Sequence, residues 1–140
     1  MNKVHTRKLL KDYLIFFKCV IFTRKPKAII AASPVHANLG DQAQLMCLEA
    51  WIRENYANYK IILMPVHVIS AYVAQVSGYL LSSIRCKFVI RLIKLFAGRQ
   101  DIIFGHSGYF LIDHHSGWIA FARLAKECPN LKMIIMPQTI

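Results

Sequence analysis

The chain has 140 residues, 56% of them hydrophobic, and a net charge of +11 from 18 Lys/Arg against 7 Asp/Glu. That length suits one domain with its own core, and that apolar content excludes a disordered tail. Four cysteines with no Cys-x-x-Cys pair lend little support to structural zinc and read as reduced thiols of a reducing compartment.

The first 26 residues form a basic leader. Lys3, Arg7, Lys8, Lys11 and Lys18 are interleaved with Leu9, Leu10, Tyr13, Leu14, Phe16 and Phe17, which predicts an amphipathic helix over residues 3–22. Lys18 interrupts the apolar run and Thr23-Arg24-Lys25-Pro26 follows it, so it is neither a secretory signal nor a span. The helix either packs on its own domain or docks peripherally on an anionic membrane surface.

Residues 27–140 alternate between strand and helix patterns. Lys27–Ala32 is a first strand, followed by the loop Ser33–Asp41. A helix over 41–56 places Leu45, Leu48 and Ile52 on one face, broadened by Met46, Ala50 and Trp51, with Cys47 as a core thiol. Lys60–Val66 is a continuous apolar strand of the kind covered on both faces. The uncharged run from Ile61 to Ile84 is interrupted by Pro65, His67, Gln75 and Gly78, which favours strand, loop and helix over a membrane span. Helices follow over Ser70–Tyr79 and Ser83–Phe96. The latter has Lys87, Arg91 and Lys94 on one face, Phe88, Leu92, Ile93 and Phe96 on another, and Gly98 as its stop. A third strand, Ile102–Phe104, a helix over Ser116–Cys128 and a buried-type strand, Lys132–Met136, complete the series. The expected fold is α/β: a Rossmann-like parallel sheet with right-handed crossovers and helices on both faces.

Three strand ends carry polar, turn-forming residues: Asn38-Leu39-Gly40-Asp41, Gly105-His106-Ser107-Gly108 and Pro137-Gln138-Thr139. In a parallel sheet all three emerge on one edge, where open α/β proteins bind ligands. Read individually, they are also compatible with a turn plus an N-cap at Asn38–Asp41 and a tight turn at Gly105 and Gly108. The loops hold too little glycine for a dinucleotide or Walker fingerprint. Asp113-His114-His115 has no second cluster at metal-binding spacing, so no metal is expected. No Gly-x-Ser-x-Gly elbow or recognition helix points to serine hydrolysis or nucleic acid.

Together, Asn38-x-Gly40-Asp41 after a first strand, the glycine-bearing loop Gly105–Gly108 and the strand ending Pro137-Gln138-Thr139 resemble the polysaccharide pyruvyl transferases over residues 27–140. The resemblance implies the N-terminal half of a GT-B-like architecture. It also implies transfer of a pyruvyl group from phosphoenolpyruvate to a sugar hydroxyl of a cell-envelope or capsular polysaccharide. The implied partners are phosphoenolpyruvate as donor substrate, with no further cofactor, and a glycan acceptor that is free or lipid-linked. The implied location is cytoplasmic, with the leader at the inner face of the cytoplasmic membrane. Asn38, Gly40, Asp41, Gly105, His106, Ser107, Gly108 and Gln138 are the expected substrate-binding, cleft-lining residues. Catalytic His and Arg residues would belong to a second domain, expected beyond Ile140. The alternatives are a sugar-nucleotide glycosyltransferase of the same architecture and a non-catalytic membrane-surface module.

Overall fold

The computed structural model describes residues 3–34, 38–65, 79–105 and 116–136. The elements in chain order are α1 (Lys3–Phe22), β1 (Lys27–Ser33), α2 (Leu39–Asn55) and β2 (Lys60–Pro65), followed by α3 (Tyr79–Phe96), β3 (Ile102–Gly105), α4 (Ser116–Glu127) and β4 (Lys132–Ile135). The helix expected over Ser70–Tyr79 lies outside the described residues apart from Tyr79, which opens α3.

The four strands form one parallel sheet in the order β2-β1-β3-β4. The chain leaves β1 for β2 on one side, then crosses back over β1 to reach β3 and β4. Right-handed crossovers must then put α2 on one face and α3 and α4 on the other. The core divides accordingly. Ala28, Ile30, Ile102 and Phe104 pack with Leu45, Leu48 and Ile52 of α2. Ile29, Ala31, Ile62, Met64 and Ile103 pack with Phe16 and Val20 of α1, with α3, and with Phe121 and Leu124 of α4. This period-2 alternation along β1 and β3 is the sheet pleat, and both faces are apolar because both are covered.

The leader helix packs on the domain. Phe16 and Val20 are fully buried, and α1 lies against β2 and α3. Burying a Phe or Val side chain contributes roughly 1.5–3 kcal/mol.

Several surface assignments differ from the sequence expectation. Cys47, expected in the core, is exposed, as are Met46 and Ala50, because α2 buries only the narrow stripe 45/48/52. Trp51 is exposed at its edge, yet its ring still meets Tyr56 and Phe104 at centroid distances of 5.8 and 6.2 Å. Phe88 and Phe96 are exposed on α3. β2 and β4 are the outer strands of the described sheet, so neither is fully covered: Leu63 is 39% and Ile135 is 42% exposed. Gly98 does not stop α3 through a left-handed backbone; its N–H donates to Asp101 Oδ2 at 2.8 Å.

Asp101 itself is a feature that periodicity does not reveal. Its Oδ1 accepts from the Lys27 backbone N–H at 2.7 Å, and its Oδ2 accepts from Lys27 Nζ at 2.8 Å. The two side chains are only 7% and 3% exposed. Lys27 and Asp101 stand immediately before the register pair Ala28–Ile102, at the amino edge of the sheet.

Removing one partner of a buried ion pair strands the other charge and costs about 3–5 kcal/mol. Asp101→Ala should therefore lower the unfolding free energy by about that amount in a denaturant titration. Lys27→Met should cost less, since the carboxylate keeps the Lys27 and Gly98 N–H groups; equal losses would contradict this picture. The thiols give a second check. Cys86 and Cys128 are buried, and burial pushes the Cys128 pKa up. A thiol reagent at neutral pH should label Cys47 first, and label Cys86 and Cys128 only on unfolding. Because the folded Cys128 holds its proton more tightly, its stabilising effect is complete below the ordinary thiol pKa of about 8.5 and declines as pH rises above it.

Candidate functional site

β1 and β3 are adjacent and parallel, yet their following helices pass to opposite faces of the sheet. This is the topological switch point of a doubly wound sheet, and the crevice beyond it opens at the carboxyl ends of the two strands. The register Ala31–Gly105 brings the end of β3 beside the end of β1.

Two local devices shape the β1 side. The β1–β2 register slips between Ala31 and Ser33, a bulge that lets Pro65 end β2 opposite Ser33. Bulges twist a strand and re-aim its side chains, and they recur next to binding sites. The second device is the start of α2. Asn38 is its N-cap, with extended backbone angles of φ −67° and ψ 115°. Its Oδ1 accepts from the Gly40 N–H at 3.0 Å, and its carbonyl accepts from the Gln42 N–H at 3.1 Å. The cap is therefore Asn38, not Asp41. Asp41 lies within the first turn and is half-buried, where a carboxylate complements the helix dipole.

Gly40 has no conformational reason to be glycine. Its φ is not in the left-handed range, and a Cβ there would meet only Asn38 Oδ1 at an ordinary 3.5 Å. A residue without a side chain at this position leaves the first turn of α2 open to close approach.

Gln44 was not singled out by sequence reasoning. It lies on the same α2 face as Asp41, Leu45 and Leu48, following the i, i+3, i+4 and i+7 relation. Its Oε1 is shut off from solvent and accepts no hydrogen bond from the described residues. A buried acceptor left unpaired costs about 1–3 kcal/mol, so Gln44 is a local weak point of α2 packing. The sequence signal was available only as a polar residue next to Leu45 on an otherwise apolar stripe.

Of the other expected site residues, Gly105 is buried as the last residue of β3, and its carbonyl accepts from the Met136 N–H at 3.3 Å. That bond carries the β3–β4 pairing one step towards Pro137. His106, Ser107, Gly108 and Gln138 lie outside the described residues. Asn38, Gly40, Asp41 and Gly105 are thus assigned to one edge of the sheet. No group of three or more potential metal ligands occurs among the described residues.

The electrostatics are instructive. The chain holds 18 Lys/Arg, yet none falls in residues 28–52 or 100–122, the stretches of sequence that contain β1, the start of α2 and β3. The basic charge implied by composition resides elsewhere. With Asp41 in its first turn, this end of α2 suits hydroxyl and amide donors better than a second anion. A separate groove of about 660 Å³ lies at the far ends of α3 and α4, lined by Lys94, Gly98, Arg99, Lys126 and Cys128. Its Glu127 is paired with Lys94 at 2.9 Å, which holds the Glu127 carboxyl below the usual range. That groove lies at the amino edge, away from the strand ends.

Asn38→Ala should lower stability by about 0.5–2 kcal/mol through loss of the cap. Gly40→Ala should leave the denaturation midpoint unchanged or raise stability by up to about 1 kcal/mol. A marked fall in the midpoint of Gly40→Ala would show that glycine is needed by the fold itself. Comparison of the chain with family models, with curated proteins and with solved structures returns no match.

Proposed function

We propose that the chain is the N-terminal, Rossmann-like half of a polysaccharide pyruvyl transferase with a GT-B-like cleft, and that its switch point receives the sugar acceptor. The observation that carries this reading is Asp41, a half-buried carboxylate in the first turn of α2, at the carboxyl edge, in a stretch without Lys or Arg. A sugar hydroxyl is the donor such a group suits: it donates to a carboxylate and brings no charge of its own. Gly40 leaves room for a polyol to approach the turn.

In the proposed reaction the acceptor contributes two hydroxyl oxygens to C2 of phosphoenolpyruvate. Two C–O bonds form there, and the C–O bond to phosphate breaks. One hydroxyl proton goes to C3, which becomes the methyl group, and the other leaves with inorganic phosphate. Asp41 would hold one hydroxyl in line for attack, a positioning role. The phosphate and carboxylate of the donor would be met by cationic groups across the cleft, since residues 28–52 and 100–122 supply no Lys or Arg.

The test is phosphate release from phosphoenolpyruvate, dependent on added envelope glycan, by the protein together with the second domain this reading requires. Asp41→Ala should lower turnover by about 10²-fold, the scale of a misplaced reacting group. Its unfolding free energy should fall by no more than about 2 kcal/mol, the upper scale of a half-buried charge at a helix end. Normal turnover with a lowered midpoint would assign Asp41 to the helix alone. Glycan-dependent turnover of a sugar nucleotide in place of phosphoenolpyruvate would move the assignment to a glycosyltransferase.

A further inference from the structure

We infer that the outer seam between α1 and α3 is a docking surface for an anionic lipid bilayer, formed by two helices of the folded domain together. The seam is apolar where its side chains are described. On α1, Leu10, Leu14, Phe17 and Ile21 recur at i, i+4, i+7 and i+11, one stripe of a helix. Leu10 and Leu14 are each 59% exposed. On α3, Phe88 and Leu95 recur at i, i+7 and are 54% and 77% exposed. The two stripes meet: the rings of Phe17 and Phe88 pack edge to face with centroids 5.5 Å apart.

Cations border the seam on both sides. Arg7, Lys11 and Lys18 form the next stripe of α1, and Lys87, Arg91 and Lys94 form that of α3; all six are exposed, and Lys94 is paired with Glu127 of α4. The one acid of α1, Asp12, is half-buried, and α3 has none. An apolar strip flanked by two basic rows is the pattern that buries side chains at the acyl boundary while Lys and Arg reach headgroup phosphates.

The charge also decides against a second copy of the chain. A two-fold contact through this face would set basic rows against basic rows. A nucleic-acid strand would satisfy the cations and leave the leucines in water. Among the described residues no helix is long and apolar enough to cross a membrane. Each helix of the seam carries a charged row beside its apolar stripe, so the contact proposed for them is peripheral. The anchor is not a detachable tail, because Phe16 and Val20 on the opposite side of α1 are core residues. The inference rests on α1 and α3 alone and is independent of the sugar site on α2.

The experiment is co-sedimentation of the intact chain with vesicles of phosphatidylcholine, alone or mixed with phosphatidylglycerol. Binding is expected only to the mixed vesicles and should weaken as salt rises, since the Debye length shortens to about 3 Å at 1 M. Lys11→Glu with Arg91→Glu should lower partitioning by about thirtyfold or more. Leu10→Gln with Leu14→Gln keeps the charge and should lower it by about tenfold or more. All four residues are exposed, and an unchanged denaturation midpoint certifies that each variant is folded. Equal binding to neutral vesicles, or wild-type binding by either folded double variant, would overturn the inference. So would tighter binding to duplex DNA or polyglutamate than to mixed vesicles.

Discussion

One buried carboxylate holds the amino edge together. Asp101 collects the Lys27 ammonium, the Lys27 backbone N–H and the Gly98 N–H, and so joins the start of β1, the start of β3 and the end of α3. The two Lys27 contacts span 74 residues of chain. They fix the neighbouring register at Ala28–Ile102, and the rest of the β1–β3 ladder follows, down to Ala31–Gly105 at the far edge. A slip of one residue would turn Ile103 towards α2 and Phe104 towards α1 and α3, against a core built the other way round. The geometry of the switch point therefore depends on an ion pair at the opposite end of the same two strands.

The molecule separates its charges by task. Basic residues populate α1, α3 and the amino edge, while the α2 turn and the end of β3 are built without them. A strongly basic composition invites the inference that the binding crevice is basic. Here the first turn of α2 and the end of β3 carry no cation, and the described Lys and Arg side chains lie on the outer helix layer and at the amino edge. Asp41 accentuates the contrast, since its carboxylate occupies the helix end that would otherwise attract an anion.

The order of the four strands, the parallel sheet and most helix boundaries were legible in the sequence because each rests on local periodicity and on turn residues; the start of α3 was not, since the helix expected from Ser83 already begins at Tyr79. Asn38, Gly40, Asp41 and Gly105 could be gathered on one edge because parallel strands all point the same way. What escaped was non-local. Asp101 looks like a loop carboxylate until β3 is laid beside β1. Cys47 and Met46 look like core because they sit among apolar neighbours, but one helix over one face needs only a narrow stripe. β2 and β4 look like covered strands, and only the sheet order reveals them as outer strands. Gln44 is conspicuous only once its oxygen is seen to be enclosed.

The sheet order also bears on self-association. Outer strands offer hydrogen-bonding groups that can recruit a strand from another molecule, the first step of edge-to-edge aggregation. β2 begins at Lys60 and ends at Pro65, a charge at one end and a residue without an N–H at the other. β4 begins at Lys132 and runs for only 4 residues. Lysine, proline and brevity are the devices by which natural sheets discourage such recruitment. A chain with this much exposed leucine and phenylalanine on its helices thus keeps its strand edges guarded. Contacts with other surfaces then fall to the helices, whose side chains can release a partner without unpicking a ladder of backbone hydrogen bonds.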